Sequence, residues 1–96
     1  MIRSFADKLT EDLYHGRRNR RVARLDTGLV RAAVRKLDII EAAASVKDLR
    51  VPPGNRLEQL RGDLEGLHSV RVNDQWRIVF RWSEGGAEHV RLIDYH

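Results

Sequence analysis

Ser69-Val70-Arg71-Val72-Asn73-Asp74-Gln75-Trp76-Arg77-Ile78-Val79-Phe80-Arg81-Trp82 is the stretch that decides the fold. Apolar residues alternate with polar ones on both sides of Asn73-Asp74, a turn signal, so two strands joined as a hairpin are expected. The register follows from the pattern. A three-residue connection, Asn73 to Gln75, pairs Val72 with Trp76 and Val70 with Ile78, which makes one face wholly apolar. A two-residue loop would set Arg77 opposite Val70 on the core side, which a half-buried pleat penalises. The three-residue loop is therefore preferred. It leaves Arg71, Arg77 and Arg81 close together on the other, open face.

Downstream, Gly85-Gly86 turns the chain into a last strand, Glu88 to Ile93, with Val90 and Leu92 inward. Upstream, Gly62 and Gly66 bracket a loop, Leu57 to Leu60 reads as a brief helical turn or irregular segment, and Val51-Pro52-Pro53-Gly54-Asn55 is a turn or bend. Before it, Asp26 or Thr27 caps a helix whose Val30, Ala33, Val34, Leu37, Ile40 and Ala44 form one stripe, with Arg31, Arg35 and Asp38 off it. A first helix starts at the cap Asp7, repeats Phe5, Leu9 and Leu13, and stops at Gly16. Ile2 to Phe5 can form an edge strand. The expected fold is α+β: two N-terminal helices on one face of a small, mostly antiparallel sheet, in a single domain spanning residues 1–96.

Composition bounds the function. At 96 residues the chain holds one core and has no room for a separate cofactor domain. With no cysteine there is no disulfide framework, thiolate nucleophile or cysteine zinc site. No stretch nears the roughly 20 apolar residues of a membrane span, and the opening residues lack the apolar core of a signal peptide, so a cytoplasmic protein without membrane contact is expected.

The net charge is +4, and arginine supplies 15 of the 18 basic residues. Residues 1–25 carry seven bases against three acids, while the rest is balanced, so the whole excess sits around Arg17, Arg18, Arg20, Arg21 and Arg24. A planar guanidinium forks onto phosphate oxygens, and such a run points to polyanion contact; the alternative is a solvated connector. On the sheet, three arginines within cross-strand reach repel unless an anion visits or Glu84, Glu88 or Asp94 offsets them. Trp76 and Phe80 have the spacing of core residues, whereas Tyr95 can stack a base. In the closing Asp94-Tyr95-His96, the acid and imidazole point to one strand face and Tyr95 to the other. His15, His68, His89 and His96 lack metal-ligand spacing, and no serine triad or phosphate-binding glycine loop is present. On its own pattern the chain is a small basic α+β domain that binds a polyanion.

The string Leu60-Arg61-Gly62-Asp63-Leu64-Glu65-Gly66, the hairpin from Ser69 to Trp82, the terminal Asp94-Tyr95-His96 and the opening Ile2 to Lys8 together resemble the HigB toxins of the RelE/ParE superfamily. The resemblance spans nearly the whole chain and implies the RelE-like, microbial-ribonuclease-like fold. It implies a ribosome-dependent messenger RNA endonuclease that needs neither metal nor cofactor. The implied partners are a helix-turn-helix antitoxin of the HigA type, the ribosome with its messenger RNA, and operator DNA only through the antitoxin complex. Site residues carried over are His96 as general acid or base, Asp94 orienting it, Arg77 and Arg61 on the phosphate, and Tyr95 positioning a base. Arg71, Arg81, Arg17, Arg18, Arg20 and Arg21 would contact RNA. Where the family commonly has a histidine, three residues before Arg61, this chain has Glu58, a base that can never serve as the cation. His68 replaces what is more often an aromatic residue, a change of packing rather than chemistry. Competing readings are a ParE-like inhibitor of DNA gyrase that acts by binding, and a catalytically weakened RNA-binding relic.

Overall fold

The computed structural model describes residues 1–95. Three helices precede the sheet: α1 (Lys8–His15), α2 (Arg20–Ala23) and α3 (Thr27–Ala42). Asp7 caps α1 by accepting from the Thr10 N–H at 2.8 Å, and Gly16 ends it at φ +67°, a conformation glycine adopts without strain. Asp26, rather than Thr27, caps α3 through Leu29 N at 3.1 Å. Within the basic run, to which the sequence assigned no element, the chain winds one helical turn, α2. Its cap is Asn19, whose Oδ1 accepts from Arg21 N and Val22 N.

Strands β1 (Glu58–Gln59), β2 (His68–Arg71), β3 (Trp76–Ser83) and β4 (Gly86–Asp94) form an antiparallel sheet in that order. The hairpin register is the expected one: Val70 faces Ile78, Arg71 faces Arg77, and the Val72 N–H donates to the Trp76 carbonyl at 2.9 Å. Asn73 shapes the loop by accepting from both Gln75 N and Trp76 N. Leu57 to Leu60, expected as a brief helical turn or irregular segment, contains the short edge strand β1, in which Glu58 and Gln59 pair with Ser69 and His68 of β2.

The inner sheet face buries Val70, Val72, Ile78, Phe80, Ala87, Val90 and Leu92 against Leu13 of α1 and Leu29, Ala33, Leu37 and Ile40 of α3. Ala43 closes the α3 stripe in place of the expected Ala44, which is exposed. β4 carries a bulge. Between the pairs Val79–Arg91 and Arg81–Glu88, β3 spends one residue and β4 two, with His89 at φ +54°. That extra residue is why Ala87 and Val90, three apart, both point inward. The opening segment lies parallel along β4, bridging Ile2 to Ala87 and Phe5 to Val90, and so acts as the expected edge strand.

In α1 the apolar reading of Leu9 gives way to Thr10, which is fully buried, with Oγ1 accepting from Leu92 N at 2.9 Å. This hydrogen bond joins residues 82 apart in sequence and fixes α1 to β4. Thr10→Val keeps the shape but strands a buried N–H, so stability should drop by about 1–3 kcal/mol. For a domain of this size each kcal/mol lowers the melting temperature by roughly 4–8 °C. Thr10→Ser should restore most of the loss. An unchanged melt for Thr10→Val would show that Leu92 N is satisfied otherwise.

Candidate active site

Arg77 does not lie on an open face. It is only 7% exposed, and its guanidinium meets the segment leading into β1. That segment is held by Asn55, itself buried. Its Nδ2 donates to the carbonyls of Leu49 and Val51, and its Oδ1 accepts from Lys36 Nζ on α3. Arg56 follows at φ +43°, and its carbonyl accepts from Arg77 Nη2 at 2.6 Å. Arg77 Nε donates to Ser69 Oγ at 2.8 Å, and Nη1 lies 3.8 Å from Glu58 Oε1. The guanidinium is thus locked by its planar fork, as a lysine could not be. The Tyr95 ring sits under it with 5.6 Å between Cζ and the ring centroid.

Asp94 is paired across the sheet with Trp76, and its Oδ2 accepts from Gln75 Nε2 at 2.9 Å. The Gln75 carbonyl in turn accepts from Tyr95 N at 2.7 Å. Gln75 therefore holds both residues at the sheet end, a role the sequence reading did not give it. Ser69, Arg56 and Asn55 were also missed. They act as supports through hydrogen bonds to Arg77, Lys36 and backbone carbonyls, and nothing in their residue types signals that.

Glu58 is brought to Arg77 as an ion pair, with its own side chain 51% exposed. Arg61 lines a cavity of about 330 Å³ with Gln59, Leu60, Gly62 and Glu65, a lining that includes neither Arg77 nor Glu58. His96 lies outside the described residues. The three outer-face arginines do not form one patch. Arg71 pairs with Asp74, Arg77 is buried, and exposed Arg81 stands opposite Glu88, whose carboxylate is 3.7 Å from Arg3. Carboxylates, the alternative to a visiting anion, meet two of the three: Asp74 pairs with Arg71 and Glu58 with Arg77. Arg17, Arg18, Arg20 and Arg21 are all exposed on the helical layer, away from Arg77.

His68 is a packing residue. Its ring stacks on Phe80 with centroids 6.0 Å apart and 19° between planes, and burial holds its pKa below the ordinary imidazole value. Among the described residues no cluster of three His, Cys, Asp or Glu is arranged to hold a metal, and no helix is long and apolar enough to cross a membrane.

The site is thus a fixed, permanently charged cation between a carboxylate and an aromatic ring at the end of a small sheet. A permanent charge held at fixed geometry suits an anionic group that gains charge during reaction. The same architecture occurs in the YoeB–YefM complex from Staphylococcus aureus, with a TM-score of 0.64 and 16% identity over 100% of this chain and 98% of that one. The class is that of small RelE-like toxins. A family model described as the RelE-like toxin of type II toxin–antitoxin system HigB matches residues 3–96. Toxin HigB-1 of Vibrio cholerae serotype O1 is 42% identical over 92 residues, which is 96% of this chain and 95% of that protein. Endoribonuclease HigB of Proteus vulgaris is 34% identical over 61 residues, 64% of this chain and 65% of the relative. The chain belongs to the RelE-like HigB toxins, whose type II systems pair each toxin with an antitoxin.

Proposed function

We propose that this toxin is an endoribonuclease that cleaves messenger RNA at the ribosome and is neutralised by an antitoxin of the HigA helix-turn-helix type. The observation that carries the reading is Arg77: a buried guanidinium, pre-oriented by Ser69 and the Arg56 carbonyl, with a base-sized aromatic ring against it. The similar Proteus vulgaris protein bears the name endoribonuclease, and the acid–tyrosine–histidine ending is present here.

The reaction is an internal transfer. The 2′-oxygen attacks the adjacent phosphorus and loses its proton to a base, and the bond from phosphorus to the 5′-oxygen breaks. That leaving oxygen takes a proton from an acid, giving a cyclic phosphate end and a free 5′-hydroxyl end. Glu58 is the base and His96 the acid, with Asp94 orienting it. Arg77 meets the charge that builds on the non-bridging oxygens, and Arg61 adds a second cation from the neighbouring cavity. Tyr95 stacks a flanking base, and Arg71 and Arg81 guide the strand along the sheet. A gyrase inhibitor acting by binding would have no use for the acid–base pair.

Expression without antitoxin should arrest bacterial growth within minutes and produce RNA fragments with cyclic phosphate ends on mapping. His96→Ala should lift the arrest while the melting curve stays in place, since imidazole is the side chain whose chemistry suits proton transfer near neutral pH. Full toxicity in folded His96→Ala protein removes it from the mechanism. Arrest with intact messenger RNA and inhibited supercoiling would favour gyrase instead.

A further inference from the structure

The arginine excess of the first quarter of the chain borders an apolar groove. Asn19 pins α2 to α1, because its Nδ2 donates to Asp12 Oδ2 at 2.9 Å while its Oδ1 caps the turn. That turn directs Val22 and Leu25 toward the core, each partly buried, and leaves Arg20, Arg21 and Arg24 in solvent. Between α2 and α3 a groove of about 320 Å³ remains, lined by Val22, Ala23, Leu25, Thr27, Val30 and Arg31. Its floor is aliphatic and its rim is cationic.

The charge there is not offset. Residues 17–31 carry six arginines and one acid, Asp26, whose carboxylate is engaged in capping α3. Arg17 is held by Glu11 and Asp12, and Asp12 is kept below the usual carboxylate pKa by its hydrogen bond from Asn19 and by Lys8 and Arg17. Among the described residues Arg18, Arg20, Arg21, Arg24 and Arg31 make no ion pair. RNA would satisfy the arginines but not the floor, since no aromatic ring lines the groove to stack a base. An amphipathic helix with aliphatic residues on one face and Asp or Glu beside them satisfies both.

We propose that the groove between α2 and α3 receives an acidic amphipathic segment of the antitoxin. The existence of that partner rests on the family; the surface rests on the groove and its rim. It lies on the helical layer, so the antitoxin seated there leaves Arg77 and Tyr95, on the outer sheet face, uncovered.

The test uses two full-length variants and the cognate antitoxin. Leu25→Glu fouls the floor, and Arg24→Glu/Arg31→Glu reverses two exposed rim charges without touching the core. By calorimetric titration, Leu25→Glu should weaken antitoxin binding about 30-fold or more, the size of an interface hot-spot loss. The rim variant should weaken it by about tenfold and reduce its salt dependence. In cells both variants should arrest growth even when the antitoxin is co-expressed. Should Leu25→Glu fail to fold, the surface double variant still decides. Antitoxin affinity within twofold of the unaltered protein for the folded rim variant overturns the proposal. So does loss of growth arrest with antitoxin affinity intact, which would assign the arginines to RNA. The calorimetric result stands even if the unaltered toxin fails to cleave RNA, so the docking surface and the nuclease reading fail separately.

Discussion

Arg77→Ala is expected to slow single-turnover RNA cleavage by about 100- to 1,000-fold, the loss found when one preorganised donor to a developing oxyanion is removed, near 3 kcal/mol. Binding of uncleavable RNA should fall far less, because Arg61, Arg71 and Arg81 remain. The same change should also lower stability, since Ser69 Oγ and the Arg56 carbonyl lose a charged donor, at about 1.5–3 kcal/mol for a hydrogen bond of that kind. Rates must therefore be read on protein that a melting curve shows to be folded at the assay temperature. Arg77→Lys separates charge from geometry. It keeps the cation but cannot hold Ser69, the Arg56 carbonyl and Glu58 at once, so it should recover part of the binding and little of the rate. Folded Arg77→Ala protein that cleaves at the original rate would move the phosphate site elsewhere, with Arg61 next in line.

Arg77 also marks the limit of what the residue pattern could tell. Period-two alternation from Val70 to Trp82 was enough to give the hairpin, its three-residue loop and its register, because one slip would have put a charge in the core. The capped helices were equally legible from Asp7, Gly16 and the α3 stripe. Alternation says which face a side chain takes; it does not say what covers that face. Arg77 was assigned to the correct side of the strand, yet it is buried, and the groups that meet its guanidinium, the Arg56 carbonyl and the Glu58 carboxylate, come from a segment with no periodic signature. The β4 bulge was missed for a related reason. Its trace in the sequence is the three-residue step from Ala87 to Val90, which breaks alternation only once. Thr10 carried no signal at all, since an isolated hydroxyl on an amphipathic helix reads as surface until its acceptor role to β4 is seen. At the site, the residue types came through and their supports did not. Asn55, Ser69 and Gln75 act through hydrogen bonds to backbone or to a neighbouring side chain, and many polar residue types are compatible with such a role.

Glu58 is where this chain departs from the family histidine, and its placement sharpens what its replacement should do. Its carboxylate lies 3.8 Å from Arg77 Nη1, on the side of the guanidinium that an RNA phosphate must also approach. Before substrate arrives the carboxylate partly neutralises the cation; afterwards two anions share it. Glu58→Gln removes both the proton acceptor and that competing charge. Cleavage should therefore slow by about 100- to 10,000-fold, the usual contribution of a positioned acid–base group, while binding of uncleavable RNA tightens. A merely structural glutamate would not move the two in opposite directions, and as a half-exposed partner it adds at most about 1 kcal/mol to stability. The pH–rate profile supplies a second reading. A carboxylate base must be ionised to act, so protonation cuts the rate on the acid side, and that limb should vanish in Glu58→Gln. Glu58→His replaces the carboxylate with the family's group. A faster Glu58→His enzyme, with its acid limb shifted toward neutrality, would show that glutamate is the weaker base at this position. If Glu58→Gln keeps both rate and pH profile, His96 is left as the sole proton-transfer group, and the 2′-hydroxyl must lose its proton to solvent or to the ribosome.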